Sequence, residues 1–164
     1  MKSLRFYLRN GEHREATQVD LKENILTVVN VFNHMVKELE ADFSVQIDNC
    51  SCIKGFPDRL YQLWSNLLKN ALEAAGRGGK VWIQSEQSLN KVRIAIGNTG
   101  DPIPEEHKRK IWEKFFSTKS ANGTGLGLSI VKRVVEEHGA KIDLKSDLDG
   151  TVFTVEFNLK DCEV

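Results

Sequence analysis

Apolar residues recur every three or four positions in three stretches of the chain, which is the spacing of a helix with one buried face. The stretches predict helices at about residues 21–39, 58–75 and 130–138. Asp58 is interpreted as the N-cap of the second helix. Gly139 follows the third helix and is interpreted as its C-terminal stop. Each predicted helix is long enough to pack one apolar face on a sheet.

Alternation of apolar and polar residues predicts strands elsewhere. These strands lie at about residues 43–48, 81–86, 92–96, 141–146 and 151–159. The last two form a hairpin around Asp149 and Gly150, residues that favour tight turns. A loop is expected at 97–104 and a short helix at 105–114. Because helices and strands interleave, we expect a two-layer α/β sandwich, with a mixed sheet of about five strands and three main helices on one face.

Composition narrows the class of protein. The chain has 164 residues and a formal net charge of zero, so no global field favours nucleic acid or an anionic membrane. It has no secretory signal and no apolar run of membrane length, and its three cysteines lack metal-ligand spacing. We expect a cytoplasmic domain at residues 19–164, preceded at 1–18 by a linker or the end of an upstream dimerisation helix.

A glycine-rich run precedes the third predicted helix. Gly123, Gly125 and Gly127 alternate with Thr124, Leu126 and Leu128. Glycines let backbone N–H groups approach a ligand closely, and a helix N-terminus adds a positive dipole end. The pattern suits a polyphosphate, although a plain glycine-rich turn would have the same composition.

The second predicted helix carries a polar arc opposite its apolar face. Gln62, Asn66, Asn70 and Glu73 lie on this arc. Asparagine is a poor helix former, so two of them spaced four apart are less typical of a solvated face. Their amide oxygens suit a Mg²⁺ ion that also binds phosphates and waters.

Two further segments are ambiguous by themselves. Asn98 comes at the end of a predicted strand, where its amide could contact a base edge, but Asn, Gly, Asp and Pro are also ordinary turn residues. Phe115 and Phe116 could be core residues or a cofactor wall. Lys119 lies four residues before Gly123, within reach of the same phosphates.

The order of these four elements resembles the ATP-binding catalytic domain of sensor histidine kinases. That domain belongs to the wider GHKL superfamily, which includes gyrase, the ninety-kilodalton heat-shock chaperone and the MutL repair proteins. The resemblance runs from about Val19 to Leu159 and is especially close at residues 62–75 and 125–133. It implies the α/β sandwich fold and a site for ATP and Mg²⁺ between the second helix and residues 97–128.

The resemblance also assigns roles to residues. Asn70 is implied as the Mg²⁺ ligand, and Asn66 and Lys119 as the catalytic residues. Residues implied in binding ATP are Asn66, Lys69, Asn70, Glu73, Asn98, Gly100, Ile103, Phe115, Phe116, Ser117, Thr118, Lys119, Gly123, Thr124, Gly125, Leu126, Gly127 and Leu128.

The chain departs from the family pattern at three positions. Asn98 replaces the usual aspartate that reads adenine, so we expect a smaller preference for adenine than an aspartate would give. Pro102 replaces the second glycine of that loop. Glu73 stands where many relatives have a basic residue, and Lys69 or Lys119 could supply the missing phosphate contact.

Several functions remain open at this point. A histidine kinase needs a phosphoacceptor histidine in a dimerisation domain, and none of the four histidines lies in such a motif. We therefore expect a catalytic domain that is monomeric when isolated, acts on a histidine-containing dimerisation domain and serves a response regulator. The alternatives are a gyrase-like ATPase, a non-catalytic ATP-binding regulator and a serine kinase of the anti-sigma type. Asn66 disfavours the ATPase, which has a glutamate general base at this place.

Overall fold

Seven strands and three α-helices form the part of the protein that the computed structural model describes, residues 15–48, 52–117 and 125–159. The strands are β1 (Thr17–Asp20), β2 (Asp42–Gln46), β3 (Cys52–Gly55), β4 (Lys80–Gln87), β5 (Lys91–Asn98), β6 (Lys141–Asp147) and β7 (Gly150–Asn158). The helices are α1 (Leu21–Glu38), α2 (Pro57–Ala75) and α3 (Gly127–Glu137).

Five strands form one mixed sheet in the order β2-β4-β5-β7-β6. Strands β2 and β4 are parallel, and the other neighbours are antiparallel. Strands β1 and β3 pair separately as a two-stranded antiparallel sheet. The predicted α/β sandwich with a five-stranded mixed sheet and three main helices is therefore confirmed.

The core lies between the five-stranded sheet and the helices. Alternate residues of β4, β5 and β7 are buried, and they meet the apolar faces of the helices. Helix α2 contributes the longest buried stripe, which consists of Leu60, Leu63, Trp64, Leu67, Leu68, Ala71 and Leu72. This packing leaves the opposite arc of α2 available for polar residues.

Some local predictions were wrong at the element ends. The N-cap of α2 is Phe56 rather than Asp58, and Pro57 takes the first helical position, which suits its fixed φ. Residues 105–114 form two short 3₁₀ helices, Glu105–His107 and Lys110–Trp112, rather than one helix.

Two further features differ from the prediction. Helix α3 starts at Gly127, three residues before the predicted Ile130. The β1–β3 sheet was not predicted, because its strands have only four residues each and show little alternation. Thr17 and Gln18, which lie in the expected linker, pair with Gly55 and Lys54 in this sheet.

Candidate functional site

Three polar side chains form a row across one end of the inner face of the sheet, which is the face that packs on the helices. Asn98 of β5 is paired with Thr151 of β7, and Thr151 is paired with Ser146 of β6. Only 4%, 4% and 9% of their respective surfaces are exposed, and they are the only buried polar or charged residues found in the described ranges. Opposite side chains in an antiparallel pair lie about 5 Å apart. The row is therefore a concentrated polar patch on an otherwise apolar surface.

Hydrogen bonds fasten the loop after β5 to this row. The backbone N–H of Ile103 donates to Ser146 Oγ at 2.8 Å. Ser146 Oγ is in turn 2.7 Å from Thr151 Oγ1. Lys108 adds a longer bond, 3.3 Å, from its ammonium to the Ser146 carbonyl. The loop that the sequence assigned to base binding is thus held against the β6–β7 hairpin.

The amide of Asn98 has a defined orientation. Its Nδ2 donates to the carbonyl oxygen of the next residue, Thr99, at 2.9 Å. A carbonyl can only accept, so this bond requires the NH₂ group on that side. The other end of the amide, Oδ1, is an acceptor with no hydrogen bond to the described residues. Asn98 therefore offers an acceptor at the end of β5.

The loop after β5 passes very close to the end of α2. Gly100 has a φ of +133°, and a Cβ placed on it would lie 2.5 Å from the Ala74 carbonyl oxygen. Only glycine fits this position, because a side chain would be both strained and in collision with backbone. Ile103, further along the loop, is half-buried against the core. These contacts place the loop beside the C-terminal end of α2.

Asn66 and the start of α3 lie next to each other. The Oδ1 atom of Asn66 is 3.8 Å from the position that a Cβ on Gly127 would take. Leu126, the N-cap residue of α3, makes no side-chain capping bond. The first N–H groups of a helix have no partner within the helix, and they favour negative charge. The arrangement provides an amide and a helix N-terminus for an anionic group.

The rest of the α2 polar arc has mixed character. Lys69 and Glu73 form an ion pair, with 3.9 Å between Nζ and Oε1. Asn70 is half-buried one turn after Asn66. No group of three metal-ligating His, Cys, Asp or Glu side chains occurs in the described residues. The amide oxygens fit a Mg²⁺ ion whose other ligands are phosphates and waters, which is a usual arrangement for this ion.

The two ends of the segment before α3 are joined at their base. The Phe115 N–H donates to the Gly125 carbonyl at 2.9 Å. The Phe116 ring packs on the core and contacts His107 edge to face, whereas Phe115 is 77% exposed. Ser117 is exposed and Leu128 is half-buried. The remaining predicted site residues, Thr118, Lys119, Gly123 and Thr124, lie outside the described residues.

The sequence interpretation missed Thr151 and Ser146. The hairpin turn lies at Leu148 and Asp149, one residue before the predicted Asp149 and Gly150, so Asp147 pairs with Gly150 and Ser146 with Thr151. The predicted turn would have put Thr151 opposite Leu148, although alternation from Phe153 does place Thr151 on the inner face. Serine and threonine are common in surface strands, so composition alone did not distinguish Ser146 and Thr151.

None of the described helices is long and apolar enough to cross a membrane.

The chain matches the family model of histidine kinase-, DNA gyrase B- and HSP90-like ATPases over residues 55–161, more than half of its length. The sensor histidine kinase ZraS of Salmonella typhi is 33% identical over 147 residues, which cover 87% of this chain and 31% of ZraS. The sensory histidine kinase/phosphatase NtrB of Azospirillum brasilense is 31% identical, over 88% of this chain and 41% of NtrB. The chain therefore spans less than half the length of these curated relatives.

Solved structures agree in fold. The catalytic domain of histidine kinase ThkA in a nucleotide-free form is 40% identical, with a TM-score of 0.81 over 88% of this chain and 96% of that domain. ThkA in complex with the response regulator protein TrrA is 34% identical, with a TM-score of 0.77 over 96% of this chain and 45% of the ThkA chain.

Proposed function

Since the chain belongs to the family of histidine kinase-, DNA gyrase B- and HSP90-like ATPases and carries the catalytic domain of a sensor histidine kinase, we propose that it binds Mg-ATP and donates the γ-phosphate to a histidine outside residues 1–164. The observation that carries this proposal is the neutral amide of Asn66 beside the start of α3. Asn66 can orient a phosphate or a water, but it cannot take a proton from water as a carboxylate does. Transfer to a partner is therefore favoured over hydrolysis.

The polar row at the end of the sheet holds the base. Asn98 Oδ1 accepts a hydrogen bond from the exocyclic amine of adenine, and the Thr151 hydroxyl lies beside it for the ring nitrogen or a water. Gly100 and Ile103 shape the loop over this end. The row supports the assignment because its acceptor and hydroxyl match the two groups on that edge of adenine.

The phosphates lie between α2 and the start of α3. Asn70 is the Mg²⁺ ligand, and the ion supplies charge neutralisation for the phosphate oxygens when it is bound. Lys69 and Lys119 add positive charge, and the N–H groups from Gly125 to Leu128 bind phosphate oxygens. Little covalent work falls to the protein in phosphoryl transfer, which depends mainly on positioning and on charge.

The partner domains follow from this activity. The acceptor is a histidine-containing dimerisation domain, attached through the chain before β1, and the product is used by a response regulator. The ThkA–TrrA complex supports a response regulator as a partner of such kinases. We expect the isolated domain to be monomeric and cytoplasmic, with no contact to nucleic acid or membrane.

The test is a transfer assay with γ-labelled ATP, Mg²⁺ and separately produced dimerisation domains of sensor kinases. We expect acid-labile, alkali-stable label on the acceptor domain and none when its histidine is replaced by glutamine. Asn66→Ala should abolish the transfer, whereas Asn158→Ala, an exposed asparagine at the far end of β7, should not.

Other outcomes identify the alternatives. Phosphate release by the pure chain that Asn66→Ala abolishes would favour the ATPase, and acid-stable label on a partner serine would favour the anti-sigma type of kinase. ATP binding without transfer to any acceptor domain would favour a non-catalytic regulator.

A further inference from the structure

Ser146 is a buried hydroxyl with two hydrogen-bonded neighbours, and the proposed nucleotide contacts do not include it. It accepts from the Ile103 N–H at 2.8 Å and lies 2.7 Å from Thr151 Oγ1. These are its side-chain hydrogen bonds among the described residues. A single hydroxyl thus connects the loop after β5 with the residue beside Asn98.

The proton on each hydroxyl can be followed along this connection. A backbone N–H can only donate, so Ile103 always uses Ser146 Oγ as an acceptor. Ser146 then has one proton to place, and Thr151 Oγ1 is the acceptor within reach. In either direction one hydroxyl proton is left over: on Ser146 it would have no acceptor within reach, whereas on Thr151 it lies beside Asn98, at the end of the sheet where the proposed nucleotide or a water can accept it. The favoured direction therefore runs from Ile103 through Ser146 to Thr151.

This direction leaves the Thr151 proton available at the inner face. Asn98, its neighbour across the ladder, presents an acceptor because its Nδ2 is used by the Thr99 carbonyl. The end of the sheet thus carries an acceptor next to a donor. Adenine has the complementary pair, an amine donor beside a ring-nitrogen acceptor. Guanine has the reverse pair, a carbonyl acceptor beside a ring N–H donor.

We propose that Ser146 is a positioning residue that sets base selectivity, because it fixes Thr151 as a hydrogen-bond donor beside the acceptor of Asn98. The inference rests on the proposed binding of ATP at this end of the sheet. To bind guanine, the amide of Asn98 would have to turn and lose its bond to Thr99. The hydrogen bond between the hydroxyls of Ser146 and Thr151 would also have to change direction, so that Thr151 donates to Ser146. Selection for adenine is therefore built into hydrogen bonds that the protein makes before any nucleotide arrives.

The test compares ATP and GTP affinities, measured by calorimetry, in wild type, Ser146→Ala, Thr151→Val and the double variant. Wild type should prefer ATP. Ser146→Ala lets the Thr151 hydroxyl turn, so the ATP-to-GTP affinity ratio should fall by roughly two- to tenfold, the range that one neutral hydrogen bond covers. The double variant should have the ratio of Thr151→Val alone, since Ser146 acts through Thr151.

A matched control separates selectivity from loosening of the structure. Thr154→Val removes a half-exposed hydroxyl of β7 that lies opposite Ala95 on the other face of the sheet, and it should leave the ratio unchanged. Loss of the Ile103 bond alone would weaken ATP and GTP equally and would not move the ratio. If Ser146→Ala does not fold, Ser146→Cys keeps a weak donor and should give an intermediate ratio.

The possible failures differ from one another. An unchanged ratio in a Ser146→Ala or Ser146→Cys protein that still binds ATP overturns the role of Ser146 and leaves the proposed function intact. In another outcome, Ser146→Ala lowers the ratio, and the double variant lowers it further by the full effect of Thr151→Val. That result also overturns the role of Ser146, because the two residues would then act independently. A wild-type chain that binds neither nucleotide overturns both proposals.

Discussion

The backbone N–H of Phe115 donates to the carbonyl of Gly125, with 2.9 Å between nitrogen and oxygen. The contact is close because Gly125 has no side chain: a Cβ on it would lie 2.4 Å from the Phe115 carbonyl carbon. Both residues have positive φ angles, 66° for Phe115 and 67° for Gly125. Phe115 and Gly125 are therefore held against each other by their backbones, two positions before α3 begins at Gly127.

Replacing Gly125 by alanine should weaken ATP binding and lower the melting temperature. The new methyl group would collide with the Phe115 backbone, so the start of α3 would have to move. Gly139→Ala is the matched control, because its φ of +58° is similar and the space around it is open. The control should lose about 1 kcal/mol of stability from backbone strain alone and keep its ATP affinity. Equal affinities for the two variants, measured by calorimetry, would contradict the role of this contact.

The sequence predicted the fold well where periodicity is long. Helices α1 and α2 and the antiparallel strands β4, β5, β6 and β7 each repeat an apolar pattern over several turns or pairs, and the structure has them near the predicted bounds. The strands β1 and β3 were missed because each has only four residues and shows little alternation, which leaves no period to detect.

The proposed site rests on motif order rather than on local preference. Asn66 and Gly127 are brought together by the packing of α2 and α3, which no single motif specifies. Ser146 and Thr151 were missed because the sequence does not show whether a hydroxyl side chain in a strand is buried or exposed. Only the register of three strands shows that they stand in line with Asn98. The roles given to Lys119, Thr118, Gly123 and Thr124 stay predictions.

Asn70→Ala should reduce ATP affinity in the presence of Mg²⁺ and have little effect in excess chelator. The variant removes one of the few protein oxygens that the ion would have, since Mg²⁺ keeps mostly waters and phosphates as ligands. We expect a loss of about tenfold, at the lower end of what removing even an outer partner of a metal costs. Asn70→Asp, which keeps an oxygen, should retain more of the Mg²⁺-dependent affinity. The same loss with and without Mg²⁺, measured by calorimetry, would remove Asn70 from the metal site.

The stability of the domain should depend on Glu156 at pH values well below neutral. Hydrogen bonds from Lys91 and Arg93, both 2.7 Å, lower the pKa of Glu156 from its ordinary 4.5 to about 2. A carboxylate with a lowered pKa adds stability above its ordinary pKa, and that contribution is lost as the pH falls from about 4.5 to about 2. Glu156→Gln should therefore melt below wild type at pH 7, and the difference should shrink over this range.

The control for this prediction is Glu86→Gln. Glu86 is an exposed carboxylate 3.9 Å from the same Arg93, and exposed ion pairs contribute little. Its melting temperature should stay near that of wild type at every pH. A Glu156→Gln difference that is constant from pH 7 to pH 2 would show that the loss comes from packing rather than from charge.

Asn98→Asp should change stability and selectivity in opposite directions. Without nucleotide, the variant should be less stable by about 1–3 kcal/mol, because the Thr99 carbonyl loses its donor and faces a carboxylate instead. With nucleotide, the carboxylate accepts from the adenine amine with charge assistance and repels the carbonyl of guanine. The ATP-over-GTP preference should therefore widen by about 1 kcal/mol. Asn98→Ala, which has neither donor nor acceptor, should lose both stability and preference. Melting curves measure the change in stability, and competition binding measures the change in preference. If Asn98→Asp loses stability without any change in preference, Asn98 only shapes the end of β5.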